Sequence, residues 1–535
     1  MTFSFPSFTK TTLKRFSVFA LVAGFSLATV YAKKFDLTTA TIADLQDAMA
    51  KGVVTSEKLT QLYLARIEAY DKQGPKLAAF LYLNPKALET ARELDAERKT
   101  KGPRGPLHGI PIVLKDVFDT FDMPTTGGYL PLKGVKPSKD SFIAKKLREA
   151  GAVIIGKTNQ SDWYARAANI SASTLGGNTL NPYDLKRTPG WSSSGTAASM
   201  AAVFAAAGLG SETGFSIRTP SNDTNLYGLA STSGLISRDG QMWGYITGER
   251  GGPLARSVYD ICTILDVIAG FDSFDMWTAQ SLGKMPDKPY VSFIDPRGLK
   301  GARVGVLKEA YDFGPIEQDI VEVAKTAIGV FEKNGAKVFN PVSIGFDLKQ
   351  YLAANSMPAR YERIAAINQY LARQGPEYPY KNAKELLLGH EGITTRGTEV
   401  DAIEHPVDLN HNPEYRATLE GKAALRQAVL DMMDKLKLDA LIYPHRLRRP
   451  LLIGADAPDT IYSDTIQLSP NTGLPAIIVP MGFTSDGIPC GLEILGRPWS
   501  EPTLIKIASG YEAVAGPVRR LPPTTPSLSG ESFDY

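Results

Sequence analysis

Lys115 closes the run Gly109-Ile110-Pro111-Ile112-Val113-Leu114-Lys115-Asp116, a short apolar stretch that ends on charge. Two serine-bearing stretches follow it. One is Pro189-Gly190-Trp191-Ser192-Ser193-Ser194-Gly195-Thr196, and the other is Gly210-Ser211-Glu212-Thr213-Gly214-Phe215-Ser216-Ile217-Arg218. A serine hydroxyl is a poor nucleophile at neutral pH and needs a base within hydrogen-bond reach. Lysine can be that base only when neutral, and burial at the end of a strand drives its pKa down. An unpaired ammonium in such a place is costly, so Lys115 is either ion-paired or functional. The stretch 187–218 by itself reads equally as a loop followed by a buried helix, since short motifs of this kind recur by chance.

Other chemistries find less support. The GxSxG elbow is absent around Ser216, which sits in Gly-Phe-Ser-Ile-Arg, and no HExxH helix occurs. His390, His405 and His411 lack metal-ligand spacing and read as loop or surface histidines. Cys262 and Cys490 are far apart without CxxC spacing, which suits two buried free thiols. What remains is serine with lysine, an alternative to the serine–histidine pair.

The ordered blocks resemble the core of the amidase signature family. They are GIPIVLKD, GKTNQSDW at 156–163, PGWSSSGT, GSETGFSIRTPS, and NTGLPAIIVPMGFTSDGIPCGLEILGRPW at 471–499. The leader before Lys115 is most similar to the peptide amidases, and the resemblance covers about residues 36–515. It implies Lys115 as base, Ser192 as a bridging serine held by a cis peptide bond, and Ser216 as nucleophile, 24 positions after Ser192. It places the oxyanion hole on the backbone N–H groups of Thr213, Gly214, Phe215 and Ser216. It implies a serine amidase acting on a small-molecule or peptide amide through an acyl-enzyme, with no cofactor and no metal.

Three departures stand out. Phe215 precedes the nucleophile where the family usually has glycine, Trp191 replaces a glycine beside the serine cluster, and Asn222–Tyr227 with Ala230-Ser231 replace small residues and a Lys-Pro. If the glycine at 215 serves a positive φ, phenylalanine there is strained or shifts the oxyanion hole. The departures imply either a retuned pocket with Trp191 and Phe215 on its wall, or a catalytically weakened, amidase-fold binding protein. An acyltransferase using the same acyl-enzyme is a further alternative.

The elements that must position these residues alternate. After helical patterns over Thr41–Gly52, Thr55–Tyr70 and Pro85–Lys99, a helix at Ser141–Ala150 precedes a strand at Ala152–Gly156. Further strands are expected at Ala302–Leu307, Leu438–Tyr443, Ala476–Val479 and Gly491–Leu495. Helices are expected at Ser257–Ala269, Gln318–Lys333 and Pro358–Arg373, and Ala197–Leu209 reads as a buried helix between the two serine stretches. This alternation gives the α/β class. The expected organisation is a secretory signal peptide over 1–32 and an N-terminal helical leader over 36–104. A single large α/β domain over 105–520 follows, with a central mixed β-sheet covered by helices and a substrate-shaping insert at 340–460.

Lys10, Lys14 and Arg15 precede the apolar run Phe16–Thr29, and Val30-Tyr31-Ala32 supplies small residues for cleavage after Ala32. The protein is therefore expected to be exported, periplasmic or secreted, with no stable membrane span after signal cleavage. The net charge of +3 over 535 residues gives no basic footprint, so no nucleic acid partner is expected. A homodimer is left open. The family's subunit that serves misacylated transfer RNA fits less well, because that role is cytosolic and needs partner chains.

Overall fold

The computed structural model describes residues 34–163, 171–355, 358–390, 397–454, 466–516 and 519–535. The signal-peptide region falls outside them. In chain order the strands are β1 (Lys34–Asp36), β2 (Phe80–Leu83), β3 (Pro111–Lys115), β4 (Val153–Thr158), β5 (Ala172–Ser173), β6 (Gly177–Asn178), β7 (Ala207–Glu212) and β8 (Tyr227–Ala230). They continue as β9 (Arg250–Ala255), β10 (Arg303–Leu307), β11 (Lys337–Val342), β12 (Ala440–Pro444), β13 (Ala476–Phe483), β14 (Pro489–Leu495) and β15 (Ser532–Asp534). Eleven of them make one mixed sheet in the order β11-β10-β12-β14-β13-β8-β9-β7-β3-β4-β2.

Every residue of β3, β4, β7, β9, β12 and β14 is buried, which is why β3, β4, β12 and β14 read as continuous rather than alternating apolar runs. Strand β3 runs parallel to both β4 and β7, with Leu114 opposite Leu209, so the carboxyl ends of β3 and β7 share one edge of the sheet. Lys115 and Ser211 become neighbours through that register.

The leader folds as α1 (Ile42–Ala50), α2 (Ser56–Ile67) and α3 (Ala87–Lys101), with Thr41 and Thr55 capping the first two. It is not purely helical. Its Phe80–Leu83 segment is β2, which adds antiparallel to β4 at the sheet edge; four residues are too few to show a period. Arg66 of α2 is fully buried and grips the far end of the chain. It donates to both carboxylate oxygens of Glu531 and to the carbonyls of Thr525 and Pro526. Nearby, β1 pairs antiparallel with β15.

After α4 (Phe142–Glu149, capped by Ser141), the run Ala197–Leu209 departs from expectation. It is helical only within α5 (Ser194–Ala201) and then becomes strand β7. A segment of small apolar residues buried on all sides carries no periodicity to separate helix from strand. The chain breaks at Val203, in the left-handed region at φ 59°. Arg66 and Arg256 hold the carbonyls released there: Ala202 by Arg66 Nε and Ala205 by Arg256 Nη1.

Helix α6 (Arg218–Asp223) follows the second serine stretch, and α7 (Val258–Ile268) follows β9. The helices Gln318–Lys333 and Ala359–Arg373 form where their periodicity predicts. The weakly patterned region beyond contains the 24-residue helix Pro413–Leu436, started by Asn412 as cap and Pro413 at its first turn. Its buried apolar residues cluster in the second half, so half of it lacks an apolar stripe. Among the described residues no helix is long and apolar enough to cross a membrane. Cys262 and Cys490 are buried and unpaired, as the spacing suggests.

Candidate active site

Lys115 ends β3 with its side chain fully buried. Its Nζ lies 2.7 Å from Ser192 Oγ and 2.9 Å from Ser211 Oγ. Burial pushes its ammonium down to about 7, although the carboxylates of Glu249 and Glu212 work in the opposite direction. With the amine neutral, the same 2.7 Å contact lets the Ser192 hydroxyl donate to Nζ. Ser216 joins the group through main chain: its Oγ accepts the Ser192 backbone N–H at 3.3 Å. The structure thus assembles Lys115, Ser192 and Ser216, from a strand end, the turn before α5 and the turn before α6.

One expectation fails. Among the described residues the cis peptide bond is Asn340–Pro341, so the bonds flanking Ser192 are trans. In the trans form the Ser192 N–H, rather than its hydroxyl, meets Ser216.

Thr213, Gly214, Phe215 and Ser216 form the bend between β7 and α6, and all four are buried. Glu212 organises that bend from beneath. Its Oε2 accepts the N–H groups of Ile217 and Arg218 at 3.0 and 3.1 Å. Arg218 donates through Nε to Glu212 at 2.9 Å and through Nη2 to the Gly214 carbonyl at 2.6 Å. Because the peptide C=O and N–H point opposite ways in a trans unit, fixing the Gly214 carbonyl on Arg218 turns the Phe215 N–H the other way. Arg218 Nη1 also takes Glu493 at 2.8 and 2.9 Å, and Arg250 joins Glu212 at 2.8 Å. Burial pushes Glu493 up, but Arg218 and His445 more than offset it and hold the carboxyl at about 2.

The anticipated strain at Phe215 is absent, since its φ is not positive. Its ring instead packs on Trp191, with centroids 4.8 Å apart and planes tilted by 56°, and Leu451 joins them. The two aromatic departures are therefore one feature. The required glycine is Gly190, at φ 104°, where a Cβ would meet the Pro220 Cα at 2.5 Å. The third departure also has a structural account. Asp223 takes both oxygens to Arg446 at 2.6 Å, and Asn222 accepts the Gly491 N–H at 2.8 Å, so polar bonds tie α6 to β14 and the end of β12.

Reading the sequence alone missed Ser211, Glu249, Arg218 and His445. Ser211 lies inside the GSETGFSIRTPS block, and only the β3–β7 register reveals that it faces Lys115. Glu249 accepts from Thr213 Oγ1 at 2.7 Å and from the Gly244 N–H at 3.1 Å. His445 is brought to α6 from a distance, bridging Thr219 Oγ1 and Glu493 at 2.7 Å each. Residues Gly151–Thr158 also spell GxxxxGK[ST], the letters of a phosphate loop. That string runs through strand β4 instead of a loop, and Lys157 is paired with Asp116 at 3.0 Å. Among the described residues no group of histidine, cysteine or carboxylate side chains could hold a metal ion.

The chain belongs to the amidase family, whose model matches residues 58–505; members are hydrolases acting on the carbon–nitrogen bonds of amides. It is 34% identical to the native peptide amidase of Stenotrophomonas maltophilia, with a TM-score of 0.82 over 90% of this chain and 98% of that one. It is 32% identical to a glutamyl-tRNA(Gln) amidotransferase subunit of Myxococcus xanthus, over 89% of this chain and 97% of the relative. The structure of the corresponding subunit from Thermotoga maritima gives a TM-score of 0.70 at 26% identity, over 91% of this chain and 98% of that one.

A pH dependence follows from the site. A base works only unprotonated, and Lys115 loses its proton near pH 7. kcat/KM for an amide is expected to climb about tenfold per pH unit below that point and to level off above it. A profile that is flat between about pH 5 and 9, or that falls across neutrality, rules Lys115 out as the base.

Proposed function

We propose that this protein is an exported serine amidase that hydrolyses a peptide-amide-like or aryl/alkyl carboxamide through an acyl-enzyme on Ser216. The observation that carries the reading is the fully buried Lys115 amine, near neutral at physiological pH and 2.7 Å from Ser192 Oγ, with Ser216 held on the same serine. The proton of Ser216 passes to Ser192 and then to Lys115; the second of those legs is already a hydrogen bond. Ser216 Oγ forms a bond to the amide carbon, and the carbonyl π electrons move onto oxygen. The backbone N–H groups of the 213–216 bend are the donors assigned here to that oxygen, each supplying a factor of about 10²–10³. Collapse breaks the carbon–nitrogen bond while Ser192 returns a proton to the leaving amine. Water then adds to the ester by the same relay and releases the acid.

The 34% identity to a peptide amidase supports the substrate class, and the Trp191–Phe215–Leu451 cluster supplies an apolar, aromatic wall for it. Lys10, Lys14, Arg15 and the apolar run to Thr29 support export. A fluorophosphonate is expected to label Ser216, and a panel of peptide amides, aryl acylamides and lipid amides is expected to favour the first two. A folded sample that neither labels nor turns over any of them overturns the reading in favour of a binding protein. Export is checked by the mass of the mature chain, which should begin at Lys33; a cell-retained, full-length chain contradicts it.

The 32% identity to an amidotransferase subunit favours a second reading, in which an amine instead of water resolves the acyl-enzyme. Products formed with a competing amine separate the two: free acid alone means hydrolysis, and a new amide means transfer.

A further inference from the structure

Strand β9 leaves the catalytic region at Glu249 and ends, about 20 Å away by strand rise, at Arg256. At that far end a cleft of about 240 Å³ opens between the amino ends of α1 and α7. Thr38–Thr41, Arg256, Ser257, Asp260, Arg519 and Arg520 line it. Both helix starts turn the positive end of a helix dipole toward it, although the N–H groups of Ile42, Asp44, Val258 and Asp260 are already bonded to Asp260, Thr41, Glu512 and Ser257. Arg256 is only 5% exposed. Its Nη1 is used on the Ala205 carbonyl; among the described residues its Nε and Nη2 have no partner besides the neutral Tyr63 hydroxyl, and Arg519 Nε has none. Tyr63, fully buried beside Arg256, offers it a neutral hydroxyl and no charge, since burial pushes that phenol up to about 12.

Such an array is unfavourable as it stands. Burial and the like charge of Arg256 push the Arg519 guanidinium down to about 10. Two carboxylates stand nearby: Glu512 accepts the Val258 N–H at 3.1 Å and burial raises its carboxyl to about 7, while Asp260 lines the cleft, its Oδ1 accepting the Ile42 N–H at 2.7 Å and its carboxyl raised by burial to about 6. Neither guanidinium forms a salt bridge with Asp260 among the described residues.

We propose that the cleft bounded by Arg256, Arg519 and the amino ends of α1 and α7 is a binding site for a small oxyanion, an inorganic phosphate or a carboxylate. Two guanidinium forks, set at the positive ends of two helix dipoles, are the donors that recognise such a group. The volume admits it with a few waters, each of which takes about 30 Å³. Arg256 Nη1 already holds the end of the α5–β7 break, so an anion seated on its other nitrogens braces the element that carries Ser192 at one end and Ser211 at the other. The site is remote from the chemistry and is a structural one.

The test uses the whole mature chain in thermal unfolding and isothermal titration, with inorganic phosphate, then acetate, titrated at constant ionic strength against chloride. Phosphate is expected to raise Tm along a saturating curve, as binding to the native state alone requires. Arg519→Gln, at a partly exposed position where the fold should survive, is expected to weaken binding by about tenfold, the loss of one charged fork. Asp260→Asn keeps the acceptor for Ile42 and removes the negative charge, so it is expected to tighten binding. A saturating response to acetate alone assigns the site to carboxylates, and one to phosphate assigns it to tetrahedral oxyanions; both support the proposal. It is overturned if neither anion gives a saturating response, if Arg519→Gln responds as the parent does, or if Asp260→Asn weakens binding.

Discussion

Lys115→Met is expected to lower kcat for amide hydrolysis by at least about a thousandfold and, in the same protein, to raise Tm. The first effect is the loss of the base, within the range of about 10²–10⁴ for general base catalysis. The second follows from linkage. Lysine in the unfolded chain titrates near about 10.4, whereas Lys115 in the fold titrates at about 7. Between those values the unfolded chain binds the extra proton, so wild-type stability rises as pH climbs from about 7 to about 10. Below pH 7 both states are protonated and the fold bears the whole cost of a buried ammonium, about 5 kcal/mol at about 1.36 kcal/mol per unit. Methionine removes that cost, while Ser192 and Ser211 each lose a partner at about 1 kcal/mol. A net gain of about 3 kcal/mol remains. The difference in stability between mutant and wild type should be greatest below about pH 7 and shrink toward about pH 10. A mutant less stable than wild type at about pH 6 contradicts the account.

Arg218→Met is expected to do harm of a different kind. It strips the shared cation from Glu212 and Glu493, both fully buried, and breaking a buried pair in this way costs about 3–5 kcal/mol. It also frees the Gly214 carbonyl, so the Phe215 N–H is no longer aimed. The loss of one well-directed oxyanion donor should lower kcat by about 10²-fold with KM little changed. Arg218→Lys should recover part of the stability but little of the rate, because an ammonium cannot span Glu212, Glu493 and the Gly214 carbonyl together. Thermal unfolding and steady-state kinetics on both variants decide the matter. Normal kcat in a folded Arg218→Met would remove Arg218 from any positioning role.

Much of the sheet was legible because its strands are short apolar runs: Val153–Thr158, Arg303–Leu307 and Pro489–Leu495 announce themselves. The candidate site of Lys115, Ser192 and Ser216 was legible through ordered blocks that resemble a family, not through spacing alone. Long-range partners were not. Nothing local says that Glu493 on β14 meets Arg218 on α6, or that His445 reaches Thr219. Likewise Trp191 and Phe215 looked like two separate departures until their rings were seen to touch. Residues with no period, such as Ala197–Leu209, gave no hint of where helix yields to strand. Phe80–Leu83 was hidden by brevity.

The grip of Arg66 on Glu531, Thr525 and Pro526, together with the β1–β15 pairing, sets an order of events for synthesis. A guanidinium in the second helix of the leader finds its carboxylate only once residues 525–531 have been made. The enzyme therefore cannot close on itself while still emerging from the ribosome.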